Sequence, residues 1–272
     1  MPELPEVEVV RRGLENAIVG ARVDRIDVRQ SALRYPVTDN ISGYCSGSYF
    51  QSVSRRAKYL ILALSTGGYL LVHLGMSGSL CVLPEDVSPG KHDIVDIVLH
   101  DGRVIRLCDH RRFGCFLYAD TLIGFSCLRN IGCEPLSNDF SASYLRRLVM
   151  NRRSSIKACL MNSQIVAGIG NIYANEILFE SRINPLRHAS SLTTGELSRL
   201  VKEIKRVLER AIDKGGTTLR DFLNASGQQG SFQNSLRVYG RAGMLCLSCL
   251  HCKVETVRSG QRSTFYCPSC QV

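Results

Sequence analysis

The chain begins Met1-Pro2-Glu3-Leu4-Pro5-Glu6-Val7-Glu8-Val9-Val10, and this stretch bears on both the architecture and the available chemistry. After Pro5 the apolar positions Val7, Val10, Leu14 and Ile18 fall on one helical face and Gly20 ends the run, which predicts a leading helix. Removal of Met1 gives Pro2 a free secondary amine beside the carboxyl of Glu3. Such an amine, attacking an aldehyde-level carbon, forms an iminium that cannot lose its charge by deprotonation and so draws electrons from the neighbouring bonds. Terminal amines titrate well below lysine, so the free base is available near neutral pH. The alternative is structural: Pro2 and Pro5 shape the start of the chain, and Glu6 and Glu8 favour a helix N-terminus.

Beyond the helix, short apolar or alternating runs at Val23–Val28, Tyr59–Leu64, Tyr69–Leu74, Ile94–Leu99, Val104–Cys108 and Gly114–Tyr118 predict strands. Gly67-Gly68 and Asp101-Gly102 mark hairpins between them. This half reads as a β-sandwich or barrel. The period then changes to that of helices near Ala142–Met150, Ser154–Met161, Ile172–Ser181 and Thr194–Lys214. The last carries Leu197, Leu200, Val201, Ile204, Val207, Leu208, Ala211 and Ile212 on one face, and Gly215-Gly216 closes it. A polar stretch from Asn224 to Asn234 follows. The expected class is α+β and multidomain, with segments 1–133 (β-sandwich), 134–225 (helical), 226–236 (linker) and 237–272 (cysteine-rich).

Charge is unevenly placed. Residues 1–135 hold 15 Lys and Arg against 15 Asp and Glu, and residues 136–272 hold 19 against 9, so the whole net charge of +10 lies in the second half. A cationic half most often meets a polyanion, of which a nucleic-acid backbone is the commonest. No apolar run spans a bilayer and no signal peptide opens the chain, so a cytoplasmic location at the nucleoid is expected.

Of twelve cysteines, Cys246, Cys249, Cys252, Cys267 and Cys270 crowd into the last 27 residues. Cys246/Cys249 and Cys267/Cys270 form two Cys-x-x-Cys knuckles separated by 17 residues that read as a short ribbon, Lys253–Val257 then Ser263–Tyr266. Four thiolates on two tight turns suit one structural, tetrahedral Zn2+. A disulfide framework is the alternative, and a reducing compartment disfavours it. Upstream, Gly168-Ile169-Gly170-Asn171-Ile172 sets two glycines and an Asn before a helix, where exposed amides bind phosphate. With Arg152, Arg153 and Lys157 nearby in sequence, it reads as a clamp on a DNA backbone, or else as a tight inter-helix turn.

Eight motifs in order resemble the bacterial formamidopyrimidine-DNA glycosylases over essentially the whole chain. They are Pro2–Glu8, Arg55–Leu60, His73–Gly78, Asp109–Gly114, Gly168–Tyr173, Gly215-Gly216-Thr217-Thr218-Leu219, Val238–Arg241 and Gln261–Cys267. The resemblance implies a β-sandwich domain, a helix–two-turns–helix domain and a zinc finger, with double-stranded DNA across the cleft between them and a monomeric enzyme of base-excision repair. It implies that Pro2 attacks C1′ of an oxidised purine nucleoside such as 8-oxoguanine or a formamidopyrimidine. Base release, a Schiff base and two eliminations would follow, with Glu3 as general acid and Lys58 holding the phosphate beside the lesion. Arg262 would assist the second elimination. Met76, Arg111 and Phe113 match residues that fill the hole left by a flipped nucleotide. His73, His92, Asn171, Tyr239 and Arg262 match phosphate contacts, and the loop after Gly215 is where the family's purine-specific enzymes read the base.

Two other readings compete. Endonuclease VIII shares the architecture but acts on oxidised pyrimidines and differs at Glu3–Glu6 and at Gly215–Leu219. A non-catalytic zinc-finger DNA-binding protein would have no use for Pro2, Glu3 and Lys58 together. The chain also departs from the family pattern: the spacer between knuckles is one residue longer, Cys252 is a fifth candidate ligand, and Asn162 stands where Asp is usual. The family's distance from Tyr239–Gly243 selects Cys246, Cys249, Cys267 and Cys270 as the metal ligands and leaves Cys252 out; the competing register begins at Cys249/Cys252.

Overall fold

The computed structural model describes residues 2–84, 87–217 and 224–272, apart from the side chain of Ser259. Met1, and Thr218 and Leu219 of the loop expected to read the base, lie outside the described residues. The chain divides into two compact units, Met1–Arg129 with Ile212–Gln233, and Asn130–Ala211 with Asn234–Val272. Among the described residues no helix is long and apolar enough to cross a membrane.

The first unit opens with α1 (Leu4–Ile18), whose buried face is Val7, Val10, Leu14 and Ile18. Its C-terminal end is capped from outside, where Arg103 Nη1 donates to the Ala17 carbonyl at 2.6 Å. The remaining elements are β1 (Val23–Val28), α2 (Ile41–Cys45), β2 (Phe50–Arg56), β3 (Tyr59–Leu64), β4 (Tyr69–His73), β5 (Ser79–Leu83), β6 (Asp93–Leu99), β7 (Val104–Cys108) and β8 (Cys115–Ala119). They form two antiparallel four-stranded sheets, ordered β1-β6-β7-β5 and β2-β3-β4-β8. Ile26, Ile97 and Leu107 of one sheet and Val53, Leu62 and Val72 of the other share a single core with α1. This is a sandwich. A second small cluster of Ile61, Leu71 and Phe125 covers the opposite face of β3 and β4, which is why those strands read as apolar runs rather than alternating ones.

Two strands and a helix exceed the sequence expectation. β2 carries a register shift between Phe50 and Ser52, and such a bulge breaks the alternation on which strand reading depends. β5 follows the turns of the Gly75–Gly78 segment directly, and α2 has only five residues, too few to show a helical period.

In the second unit, α3 (Ala142–Val149) and α4 (Ile156–Met161) are capped by Ser141 and Ser155, whose hydroxyls accept from Tyr144 N and Ala158 N. α5 (Asn171–Glu180) is buried from Ile172 through Phe179, so it shows no apolar stripe. α6 (Thr194–Asp213) is amphipathic, with Leu197, Leu200, Ile204, Val207 and Leu208 buried as expected. The C-terminal ribbon is β9 (Glu255–Ser259) antiparallel to β10 (Arg262–Tyr266).

One ion pair is built into the first sheet. Asp96 on β6 is the register partner of Arg106 on β7, and the guanidinium meets the carboxylate twice at 2.8 Å, with both residues over 90% buried. Burial pushes the Asp96 carboxyl up, but hydrogen bonds from Arg106 and Arg29 outweigh it and hold the group below its usual range. Removing one partner of such a pair strands a buried charge. Arg106→Met is therefore expected to lower the unfolding free energy by about 3–5 kcal/mol, and Asp96→Asn in the same background should recover part of it. A loss in urea unfolding below about 1 kcal/mol, the ceiling for an exposed pair, would show that Arg29 alone satisfies Asp96.

Candidate functional site

At the start of α1, Pro2 is buried and Glu3 is the N-cap, 2% exposed. Glu6, one turn on, is also buried; its Oε2 accepts from Glu3 N at 2.8 Å and its Oε1 from Thr217 N at 2.7 Å. The carboxyl thus ties the Pro2-Glu3 end to the segment after α6, 211 residues away. Gly216 takes φ +80° there, and a Cβ on it would stand 3.0 Å from Glu6 Oε1, so the close approach needs glycine.

Further along α1, Glu8 binds Arg11, Arg12 and Arg55 at 3.0–3.1 Å. Burial pushes its carboxyl up, and Arg11 with Arg55 and Arg12 brings it below the usual range. Arg55 also donates to the Ala57 carbonyl at 2.8 Å, fixing a turn in which Ala57 is left-handed (φ +52°) and Lys58 follows half-buried. The β3–β4 register pairs Tyr59 with His73, which brings Lys58 beside His73. His73 Nδ1 accepts from Gly75 N at 3.0 Å, so the ring proton sits on Nε2. Burial, then the charges of Lys58 and Arg34, push the His73 pKa down to about 4. The ring is neutral at physiological pH and offers one Nε2–H donor.

Gly75 is left-handed (φ +61°), and a Cβ on it would lie 2.6 Å from Phe113 C and Gly114 N. Only glycine lets the Met76 loop approach the Arg111–Phe113 loop this closely. Asp109, 1% exposed, organises the second loop by accepting from Ser77 Oγ (3.0 Å), Arg111 N (3.2 Å) and Gly114 N (2.9 Å). Arg111 lies 4.9 Å over the Phe113 ring, which is 45% exposed, and Met76, the residue after Gly75, is half-buried. The half-buried His92 ring packs tilted against that of His110 with centroids 4.3 Å apart, and the His92 carbonyl accepts from Asp109 N at 3.0 Å. Arg34 and Tyr35 share a recess with Tyr59, His73 and Phe113. Sequence reading missed both because they sit in an irregular exposed stretch with no periodicity.

The second unit holds the other expected residues. Arg152 and Arg153 are exposed. Asn171 opens α5, and its carbonyl accepts from Asn175 Nδ2 at 2.5 Å. Glu176, buried on α5, accepts from the backbone amides of Arg237, Val238 and Tyr239 at 2.8–3.0 Å, and the Tyr239 ring meets Phe265 edge-on at 5.2 Å. Arg262 begins β10, exposed, and its guanidinium has no hydrogen bond or ion pair among the described residues. It lines a pocket of about 250 Å³ with Ser155, Lys157, Ala158, Met161 and Asn162. The Asn162 side chain accepts from Gln164 N at 3.0 Å.

Lys157 corrects the sequence reading. Expected among the phosphate-neutralising cations, it is 3% exposed, and its Nζ donates to Ser263 O and Thr264 Oγ1, both at 2.8 Å. A buried ammonium committed to β10 holds the Arg262 hairpin in place; it is no surface charge.

The Sγ atoms of Cys246, Cys249, Cys267 and Cys270 lie within 4.8 Å of one another, with Cys246–Cys270 at 3.8 Å and Cys249–Cys267 at 3.7 Å. These distances exceed the ~2.05 Å of a disulfide. They equal the edge of about 3.8 Å expected for a tetrahedron with metal–sulfur bonds of ~2.3 Å. The four cysteines therefore form a site that fits a tetrahedral metal ion, in the register that begins at Cys246.

Comparison with known proteins decides the family. The profile of the formamidopyrimidine-DNA glycosylase N-terminal domain matches residues 1–116, and that of the formamidopyrimidine-DNA glycosylase H2TH domain matches residues 131–223. A formamidopyrimidine-DNA glycosylase of Yersinia enterocolitica is 49% identical over 271 residues, covering all of both chains. The chain belongs to the formamidopyrimidine-DNA glycosylases. A Lactococcus lactis FPG variant solved with Fapy-dG-containing DNA matches at TM-score 0.91, with 33% identity and 99% of each chain covered. The wild-type L. lactis enzyme, solved with DNA containing an oxidized pyrimidine, matches at TM-score 0.90 with 33% identity and the same coverage.

Two measurements test how this glycosylase fold holds its groups. Gly75→Ala should force the Met76 and Phe113 loops apart, costing about 1–3 kcal/mol of stability from backbone strain and weakening affinity for lesion-containing duplex. Unchanged melting and binding would show that the loops are independent. For His73, the unfolded ring takes up a proton below about 6.5 while the folded ring resists until about 4. Acid between those values therefore favours unfolding, and stability should rise with pH across that window. His73→Asn, which keeps an acceptor for Gly75 N, should flatten that part of the profile; an identical slope would place the titration elsewhere.

Proposed function

We propose that this protein removes oxidised purines from duplex DNA and cleaves the strand, with the Pro2 nitrogen as nucleophile. The observation that carries this reading is the start of α1, where Pro2 and Glu3 are buried and anchored through Glu6 to Thr217. A flexible N-terminal amine would lose the advantage of a fixed attack geometry; this one is held. With Met1 removed, the Pro2 amine adds to C1′, the glycosidic bond breaks, and the base leaves with a proton. Glu3 protonates O4′ as the sugar ring opens to the iminium. Loss of a C2′ proton then expels the 3′ phosphate, and a second elimination expels the 5′ phosphate. Lys58 and the neutral Nε2–H of His73 hold the phosphate beside the lesion, and Arg262 serves the second elimination. Phe113, Met76 and Arg111 occupy the space of the extruded nucleotide, which repays part of the few kcal/mol of unstacking. Arg152, Arg153, His92, Asn171 and Tyr239 contact the DNA backbone.

The cysteine site holds one Zn2+. With a cysteine sulfur as every donor, the ion's role would be to fold the finger rather than to take part in the chemistry. The protein acts in the cytoplasm, on nucleoid DNA, as a monomer. Purine preference follows the relatives' name; oxidised-pyrimidine removal is the second reading, favoured by the L. lactis complex with that lesion.

Borohydride trapping on 8-oxoguanine duplex tests the proposal. A covalent protein–DNA adduct should form with Met1 removed and be absent when an N-terminal tag remains. Glu3→Gln should reduce base release by orders of magnitude while lesion binding changes little. Glycosylase activity with Met1 retained would falsify the assignment of Pro2, and faster release of oxidised pyrimidines than of 8-oxoguanine would favour the second reading.

A further inference from the structure

Cys252 is left out of the four-cysteine site but is not remote from it. Leu250 is left-handed (φ +60°), its N–H donates to the Cys246 carbonyl at 3.0 Å, and Cys246 N donates to the Cys252 carbonyl at 2.8 Å. With Leu245 paired to Lys253, these bonds close residues 246–252 into a ring that turns Cys252 back toward Cys249. One ligand atom from each of Cys249, His251 and Cys252 lies within 4.8 Å of the others. His251 is exposed, and both cysteines are partly so. The imidazole is held at both nitrogens, Nδ1 at 2.7 Å from the Cys249 carbonyl oxygen and Nε2 at 3.3 Å from Ser269 Oγ.

We propose that Cys249, His251 and Cys252 form a second, solvent-facing site for a soft divalent ion, Zn2+ or Cd2+, that shares the Cys249 thiolate with the four-cysteine site. Thiolate and imidazole are the ligands such ions prefer. A thiolate keeps enough lone pairs to bridge two ions. Binding forms a metal–sulfur bond to Cys252 as its thiol proton passes to solvent, and the ion displaces one of the two hydrogen bonds of His251. Three protein ligands leave the fourth position to water. The outer site is consequently weaker than the closed one, and it serves as an entry port: an ion captured outside reaches Cys246, Cys267 and Cys270 without leaving Cys249.

This inference rests on the metal assignment of the four-cysteine site, and one experiment separates the two. The full, untagged protein is loaded with Zn2+ and titrated with Cd2+ under native mass spectrometry. Two ions are expected in the unaltered protein, and one in both Cys252→Ser and His251→Ala. In stopped-flow loading of the metal-free chain with Zn2+, Cys252→Ser should fill the inner site more slowly while reaching the same occupancy. Saturation of the unaltered protein at one ion, a second ion that survives both variants, or a Cys249–Cys252 disulfide in the purified protein each overturns the proposal. Loss of the first ion in Cys270→Ser tests the inner site alone, so its failure is recognised independently of the outer one.

Discussion

The carboxyl of Glu6, buried and accepting from the amides of Glu3 and Thr217, is the contact on which the candidate catalytic end depends. A chain terminus is ordinarily the first part of a protein to fray. Here the first turn of α1 is held from a segment that follows the last long helix, so the start of the chain and the Gly216-Thr217 backbone share one anchor. The same device recurs where Asp109 gathers Ser77, Arg111 and Gly114, and where Glu176 gathers Arg237, Val238 and Tyr239. Irregular segments have no ladder to satisfy their amides, and a buried carboxyl oxygen can accept several of them at once. Burial works against the charged form, and it pushes Glu176 above the usual range despite three amide donors. The cost is borne where backbone placement matters most.

Placement of Lys58 follows from α1 by a second chain of contacts. Glu8 fixes Arg55, Arg55 fixes the Ala57 carbonyl, and the left-handed Ala57 sets Lys58 just before the start of β3. Its charge then helps keep His73 neutral. A neutral imidazole whose Nδ1 is already engaged by Gly75 has one directed donor left, so a single network selects both the cation and the tautomer beside it.

Much of this architecture is legible in the sequence because it depends on periodicity and spacing. The apolar face of α1, the strands at Val23–Val28 and Tyr59–Leu64, the stripe of α6 and the four cysteines at Cys246, Cys249, Cys267 and Cys270 are local patterns. The anchoring contacts are not. Glu6 and Thr217 are 211 positions apart, and nothing near either residue marks the pair. Lys157 shows the converse failure. Beside Arg152 and Arg153 it reads as a surface cation, yet it sits on the inward side of α4 against β10. Charge can be counted from a sequence, but whether a charge faces water is settled by packing.

The finger hairpin shows how far the cysteine site and the helices divide the work. Strand β10 is tied to the helical body by Lys157 at Ser263 and Thr264 and by Asn175, whose Oδ1 accepts from Phe265 N at 2.8 Å. Gln271 donates to the Ile183 carbonyl at 2.9 Å, and Glu176 holds the entry at Arg237–Tyr239. These ties come from α4, α5 and the turn after α5, and none passes through a cysteine. The sulfurs organise the two knuckles, whereas the helices set where the hairpin and Arg262 stand. Direction is thus supplied by ordinary side-chain hydrogen bonds, while an ion held by the four cysteines would close a small unit with too little apolar core of its own.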